Sequence, residues 1–192
     1  MRCFIAVELS DELRRPLGRL VEGIAEARPV PPQQLHLTLA FLGELDDPSR
    51  ALVCRELATV ATPSFELRFA RCGCFPDQRR PRVLWAAPAR QPLLEQLAQE
   101  VTAAIVRCGI VLEERSFTPH ITLARIKAPA RPDLVRFLNA SCAALPPLAV
   151  TGFHLFSSTL SPQGALHTLL QSFPLPQVMN SSGVIGAKRS QK

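Results

Sequence analysis

Two short stretches carry groups that can move a proton near neutral pH: His36-Leu37-Thr38-Leu39-Ala40 and His120-Ile121-Thr122-Leu123-Ala124. Both read His-x-Thr-Leu-Ala with an aliphatic residue at x. They lie eighty-four residues apart, and they hold two of the chain's four histidines. On an extended chain successive side chains point to opposite faces. Each histidine therefore shares a face with its threonine, and the intervening aliphatic residues point into a core. Two such strands facing each other enclose two imidazoles and two hydroxyls in one small volume. One imidazole can be neutral while the other is protonated, which suits general base and general acid in one displacement. Placed on either side of a phosphorus centre, one takes a proton from the nucleophile and the other gives one to the leaving oxygen. The hydroxyls of Thr38 and Thr122 can donate to non-bridging oxygens, and Arg125 can add positive charge. Residue chemistry alone leaves open which histidine is acid and which is base. No acidic cluster accompanies the motifs, so no metal and no cofactor is expected.

The elements that must position these groups also repeat. Residues 2–9 read as a strand that is apolar on both faces, hence buried. Ser10, as an N-cap, opens a helix carrying Leu13, Leu17, Leu20, Val21 and Ile24 at helical spacing. Prolines 29, 31 and 32 end it before the first motif strand, 34–42. A helix follows from Asp46, and then an alternating strand, 64–72. The order then recurs: strand 82–87, helix 91–108, motif strand 118–126, helix 131–144, strand 148–157. Two copies of strand, helix, motif strand, helix, strand are a duplication rather than a solenoid. The expected fold class is α+β. It would be bilobal, with two lobes related by a pseudo-two-fold axis, built from about 2–72 and 82–157, around a cleft lined by the motif strands. Residues 1–175 would form this single domain. The tail 176–192 reads as disordered or partly an expression remnant.

Composition narrows the setting. The 192 residues are 47% apolar, enough for one sizeable core. Neither a signal peptide nor a run of about twenty apolar residues is visible, so a cytoplasmic location is expected and a membrane is not. The six cysteines have no metal-site spacing and read as reduced thiols. The net charge of +6 is carried almost wholly by arginine, because lysine occurs only at 127, 188 and 192. Arginine forks suit phosphate, so the balance favours a polyanionic partner.

The frames Leu35-His36-Leu37-Thr38-Leu39-Ala40-Phe41-Leu42-Gly43-Glu44 and Phe117-Thr118-Pro119-His120-Ile121-Thr122-Leu123-Ala124-Arg125 resemble those of the two-histidine phosphoesterase superfamily, specifically its LigT/ThpR branch. That branch comprises RNA 2′,3′-cyclic phosphodiesterases, also called 2′-5′ RNA ligases. The opening Arg2-Cys3-Phe4-Ile5-Ala6-Val7 and the strand Arg82-Val83-Leu84-Trp85-Ala86 resemble it too. The resemblance implies metal-independent hydrolysis of a 2′,3′-cyclic phosphate to a 2′-phosphate, with reverse 2′-5′ ligation as a companion activity. It implies His36 as proton donor to the departing 3′ oxygen and His120 as proton acceptor from water. It makes Thr38, Thr122 and Arg125 substrate-binding, with Phe41 standing where Arg125 stands in the second copy and offering either stacking or core packing. The partners implied are RNA ends with a 2′,3′-cyclic phosphate or small cyclic nucleotides, met by a monomer. The competing readings are a non-catalytic nucleotide- or RNA-binding module and a 2′-5′ oligoadenylate phosphodiesterase on the same fold. His167 stands where a tyrosine-like ring is expected and reads as a replacement for a lobe-surface ring, with contact to the substrate as the alternative. His154 reads as structural or cleft-lining.

Overall fold

Five consecutive buried residues, Cys3 to Val7, make strand β1 (Arg2–Glu8) an interior strand, as its two apolar faces require. The computed structural model describes residues 1–113, 116–127, 133–161 and 164–177. Helix α1 (Asp11–Arg19) follows β1 and is shorter than the apolar spacing suggests. Past Arg19 the chain continues in tight turns, with the amides of Leu20, Val21 and Glu22 bonded to the carbonyls three residues back. Val21 stays buried through that change, so the apolar spacing survives without the α-helix. Ser10 makes no side-chain cap; its carbonyl accepts from the amides of Leu13 and Arg14.

A three-residue strand, β2 (Ala27–Pro29), precedes the first motif strand, β3 (His36–Glu44). Helix α2 (Asp47–Leu57) is capped by the Asp46 carboxylate, which accepts from the Ser49 amide at 2.9 Å. The alternating segment after it divides at Arg68 into β4 (Phe65–Leu67) and β5 (Phe69–Phe75). Then come β6 (Val83–Pro88), helix α3 (Pro92–Arg107) and the second motif strand, β7 (Ile121–Ile126). The helix expected over 131–144 starts outside the described residues. What is described is a single turn, α4 (Val135–Leu138), and a 3₁₀ turn at Cys142–Ala144, with Phe137 and Cys142 still buried. Strand β8 (Leu148–Val150) is followed by two long strands, β9 (Gly152–Ser161) and β10 (Gly164–Pro174). The sequence reading lacked β2 and β10. The expected tail lies, from residue 178 onward, outside the described residues.

The result is a mixed α/β fold on an antiparallel eight-stranded sheet of order β10-β9-β1-β3-β7-β6-β5, with β2 added to β7. Under the repeat, β1 corresponds to β6, β3 to β7 and β9 to β5, so the order is a palindrome about the β3/β7 seam. The outer strands are exchanged: β5 of the first repeat pairs with β6 of the second, and β9 of the second pairs with β1 of the first. β4 and β8, also from different repeats, pair in a separate ribbon. At the seam a single residue pair, Leu37 opposite Ile121, joins β3 to β7. One continuous core runs under one sheet face, uniting Leu13, Leu17, Val53, Leu97 and Val101 of the helices with Ile5, Leu37, Ile121 and Leu155 of the strands. The opposite face carries the candidate site.

Candidate active site

The repeated motif makes the same backbone irregularity in both copies. In β3, Ala6 of β1 lies opposite Thr38 while Ile5 lies opposite Ala40, leaving Leu39 unpaired. In β7, Trp85 of β6 lies opposite Thr122 while Leu84 lies opposite Ala124, leaving Leu123 unpaired. Each Leu-Ala is thus a β-bulge, with two residues facing one. Both residues of each bulge are buried. Alternation then resumes in reverse phase. Phe41 and Arg125, which strict alternation would send to the core face with the leucines, emerge on the same face as the histidine and threonine. Both are exposed, Phe41 to 68%, and Leu42 and Ile126 beyond them are buried.

The seam orders the four polar side chains. With Leu37 opposite Ile121 in an antiparallel pair, His36 falls opposite Thr122 and Thr38 opposite His120. The histidines therefore sit on a diagonal, each beside the other copy's threonine. His36 Nδ1 lies 2.7 Å from the Gln34 carbonyl oxygen, and His120 Nδ1 lies 2.8 Å from that of Thr118. A carbonyl only accepts, so in both rings Nδ1 carries a proton and Nε2 is the nitrogen left for chemistry. The rings differ in surroundings. Burial pushes the His36 imidazolium down to about 4, against the opposing pull of the Gln34 carbonyl, and His167 and His120 push in the same direction as burial. His36 is neutral at neutral pH in the free protein.

Aromatic rings wall both sides. His120 meets Phe75 edge-on at 5.1 Å, and Phe75 lies 5.2 Å from Trp85, over which the Arg71 guanidinium sits at 5.5 Å. His36 packs on Phe4 at 4.9 Å and meets His167 edge-on at 5.2 Å. Phe4 in turn contacts Phe156, Phe41 and His167. His167 is thus a neighbour of the first motif's imidazole, and its buried Nδ1 has no hydrogen-bond partner among the described residues. His154 sits two strands from Thr38, across Ala6, with Nδ1 3.0 Å from Ser172 Oγ. A recess beside His36 is lined by Phe4, Glu8, Arg14, Gln34, Phe156 and His167, with Glu8 and Arg14 paired at 2.9 Å.

The structure brings His36, Thr38, His120 and Thr122 together at the seam, with Phe41 and Arg125 on the same face at opposite ends. Sequence reasoning missed Phe4, Phe75 and Trp85 as its walls, and the Gln34 and Thr118 carbonyls. Gly73 is the one local signal for Trp85: a Cβ there would stand 2.2 Å from the indole. Among the described residues no three His, Cys, Asp or Glu side chains are grouped to hold a metal ion. The cysteines are free thiols, Cys72 and Cys142 lying 3.4 Å apart in the core. No helix among the described residues is long and apolar enough to cross a membrane.

Known proteins are similar to this chain in sequence and fold. The family model LigT like Phosphoesterase matches the chain twice in tandem, over residues 7–85 and 86–167. A protein of Archaeoglobus fulgidus named RNA 2′,3′-cyclic phosphodiesterase is 31% identical over 178 residues, covering 90% of this chain and 99% of that one. One of the same name from Thermus thermophilus is 36% identical, covering 91% and 90%. The crystal structure of Escherichia coli LigT in apo form superposes with a TM-score of 0.73 at 29% identity, covering 92% of this chain and 98% of that one. The same E. coli protein complexed with 3′-AMP gives 0.74 at 30% identity, covering 91% and 97%.

Proposed function

This chain belongs to the LigT-like phosphoesterase family, and from that premise we propose that it hydrolyses 2′,3′-cyclic phosphates at RNA ends or on small nucleotides to 2′-phosphates. The observation that carries the reading is the diagonal pair of imidazoles, each with Nδ1 tied to a backbone carbonyl and each beside the opposite threonine. His120 Nε2 takes a proton from water as its oxygen attacks phosphorus in line. The P–O3′ bond breaks, and His36 Nε2–H protonates the departing O3′. Thr38 and Thr122 donate their hydroxyls to the non-bridging oxygens, Arg125 contacts the nucleotide, and Phe41 offers its exposed ring to a base. His36 is neutral in the free protein. The anionic phosphodiester is what favours its charged, proton-donating form. With a 5′ hydroxyl in place of water, the same displacement on the cyclic phosphate breaks the P–O3′ bond and leaves a 2′-5′ linkage.

The site's donors are imidazoles, hydroxyls and a guanidinium, which supports a metal-independent reaction. Both histidines come from one chain, which supports a monomer built as one domain over residues 1–175. Free thiols support a cytoplasmic setting. Phosphorus NMR of a 2′,3′-cyclic nucleotide turned over in EDTA tests the proposal. A 2′-phosphate as product is expected. A 3′-phosphate would reverse the roles of His36 and His120, turnover only on adding a divalent ion would end the metal-independent mechanism, and no turnover with any ion would end the reading.

A further inference from the structure

β2 is an edge strand of three residues, and Arg28 at its centre lies directly opposite Arg125 of β7. Opposed residues of an antiparallel pair stand about 5 Å apart at Cβ, and like charges there are destabilising. Both arginines are exposed, and among the described residues neither is in an ion pair. By contrast Arg14, Arg50, Arg68, Arg90 and Arg107 each hold a carboxylate within 3.1 Å. Among the described residues nothing demands a guanidinium at position 28. The neighbouring apolar contacts of β2 are made by Ala27 and Val30.

The pair sits on the site face, because Ile126 beside it is buried and the Leu123-Ala124 bulge has reversed the alternation. It lies at the His36 end of the seam, in the gap where β3 has left β7 and β2 takes over its edge. Three residues of strand separate Thr122 from Arg125, about 10 Å. That is too far for Arg28 to share the group held between the histidines, and within reach of the chain that carries it.

We propose that Arg28 and Arg125 form a clamp for a backbone phosphodiester of RNA upstream of the cyclic end. The inference deepens the function proposed above and rests on it for the identity of the polyanion. Two guanidinium forks across one phosphate turn an unfavourable like-charge pair into two charge-assisted contacts. The clamp would make an oligonucleotide a better ligand than a mononucleotide.

Fluorescence anisotropy with a labelled single-stranded RNA tetranucleotide ending in a 2′-phosphate tests this, with nucleoside 2′-monophosphate as competitor. R28A should bind the tetranucleotide about tenfold more weakly at low salt. The slope of log affinity against log salt should fall by about 0.7, the share of one single-strand phosphate contact. Mononucleotide binding should be unchanged. R28E should lose tetranucleotide binding at least as far, while its melting temperature equals or exceeds the wild type's, because glutamate opposite Arg125 is an attractive pair. R28A binding the tetranucleotide as the wild type does, equal losses on both ligands, a lowered melting temperature in R28E, or a wild type that fails to bind the tetranucleotide would each overturn the clamp. A wild type that binds the tetranucleotide yet turns over no cyclic end would refute the function alone, and R28A would still decide the clamp.

Discussion

At the scale of residues, the two histidines are alike in tautomer and unlike in environment. Replacing either His36 or His120 by alanine should lower turnover about 10²–10⁴-fold, the usual loss when a general acid or base is removed. The pH dependence separates them further. A working pair has one neutral and one charged ring. As proton donor His36 must be the charged one to react, yet in the free protein burial keeps it neutral above about pH 4. kcat/KM reports the free enzyme, so the limb for the His36 proton should lie near 4 there, the donor form being lost as the pH rises through it. In kcat the limb should move to higher pH, since the bound phosphate's negative charge favours the imidazolium. Coincident His36 limbs in kcat and kcat/KM would remove that electrostatic argument. The residue types of this site were plain in the sequence, because few other groups titrate near neutrality. The burial that sets His36 apart was not, since it comes from Phe4, Phe156 and His167 on three other strands.

At the scale of elements, alternation correctly sent His36 and Thr38 to one face and Leu37 and Leu39 to the other. It cannot put Phe41 or Arg125 beside them. That placement depends on a bulge, and a bulge is a count of two residues against one on a partner strand far away in sequence. The same limit explains α1 and α4: apolar spacing marks which side chains face inward, and both tight turns and α-helix satisfy it. The β5–β6 pair gives a prediction at this scale. Gly73 leaves the space in which the Trp85 indole lies against Phe75, the ring that meets His120. Gly73→Ala places a methyl group 2.2 Å from that indole. It should destabilise the fold by about 1–3 kcal/mol, the common cost of overpacking. Denaturant unfolding measures it, and wild-type stability would show that the indole has room to move.

At the scale of the whole molecule, the duplication was readable as a repeated order of elements. The exchange was not, because each repeat's last strand could pair with either arm. β5 and β9 close the arms of the opposite repeats, so neither repeat contains a complete arm. Residues 1–76 expressed alone should lack cooperative unfolding, having lost β6, with which β5 pairs, and 77–177 should behave likewise. Circular dichroism and denaturant titration of each half would decide the matter. A half that folds as a monomer with a sharp transition would mean that the arms assemble within repeats. The exchange also ties the seam down: β3 and β7 share one residue pair, yet each is held in place by strands on its outer side and by a common core.

The carbonyl ties on the two imidazoles bear on how this site can vary. Each histidine is oriented by the peptide group two positions earlier, at Gln34 and at Thr118. Every amino acid supplies that same oxygen. A point mutation at either position can alter the cleft wall but cannot delete the tie itself, which is hidden from substitution. It is exposed only to insertion or deletion, because adding or removing one residue between tie and ring changes the spacing on which it depends. Heredity guards the orientation of these rings through the length of the chain rather than through its spelling.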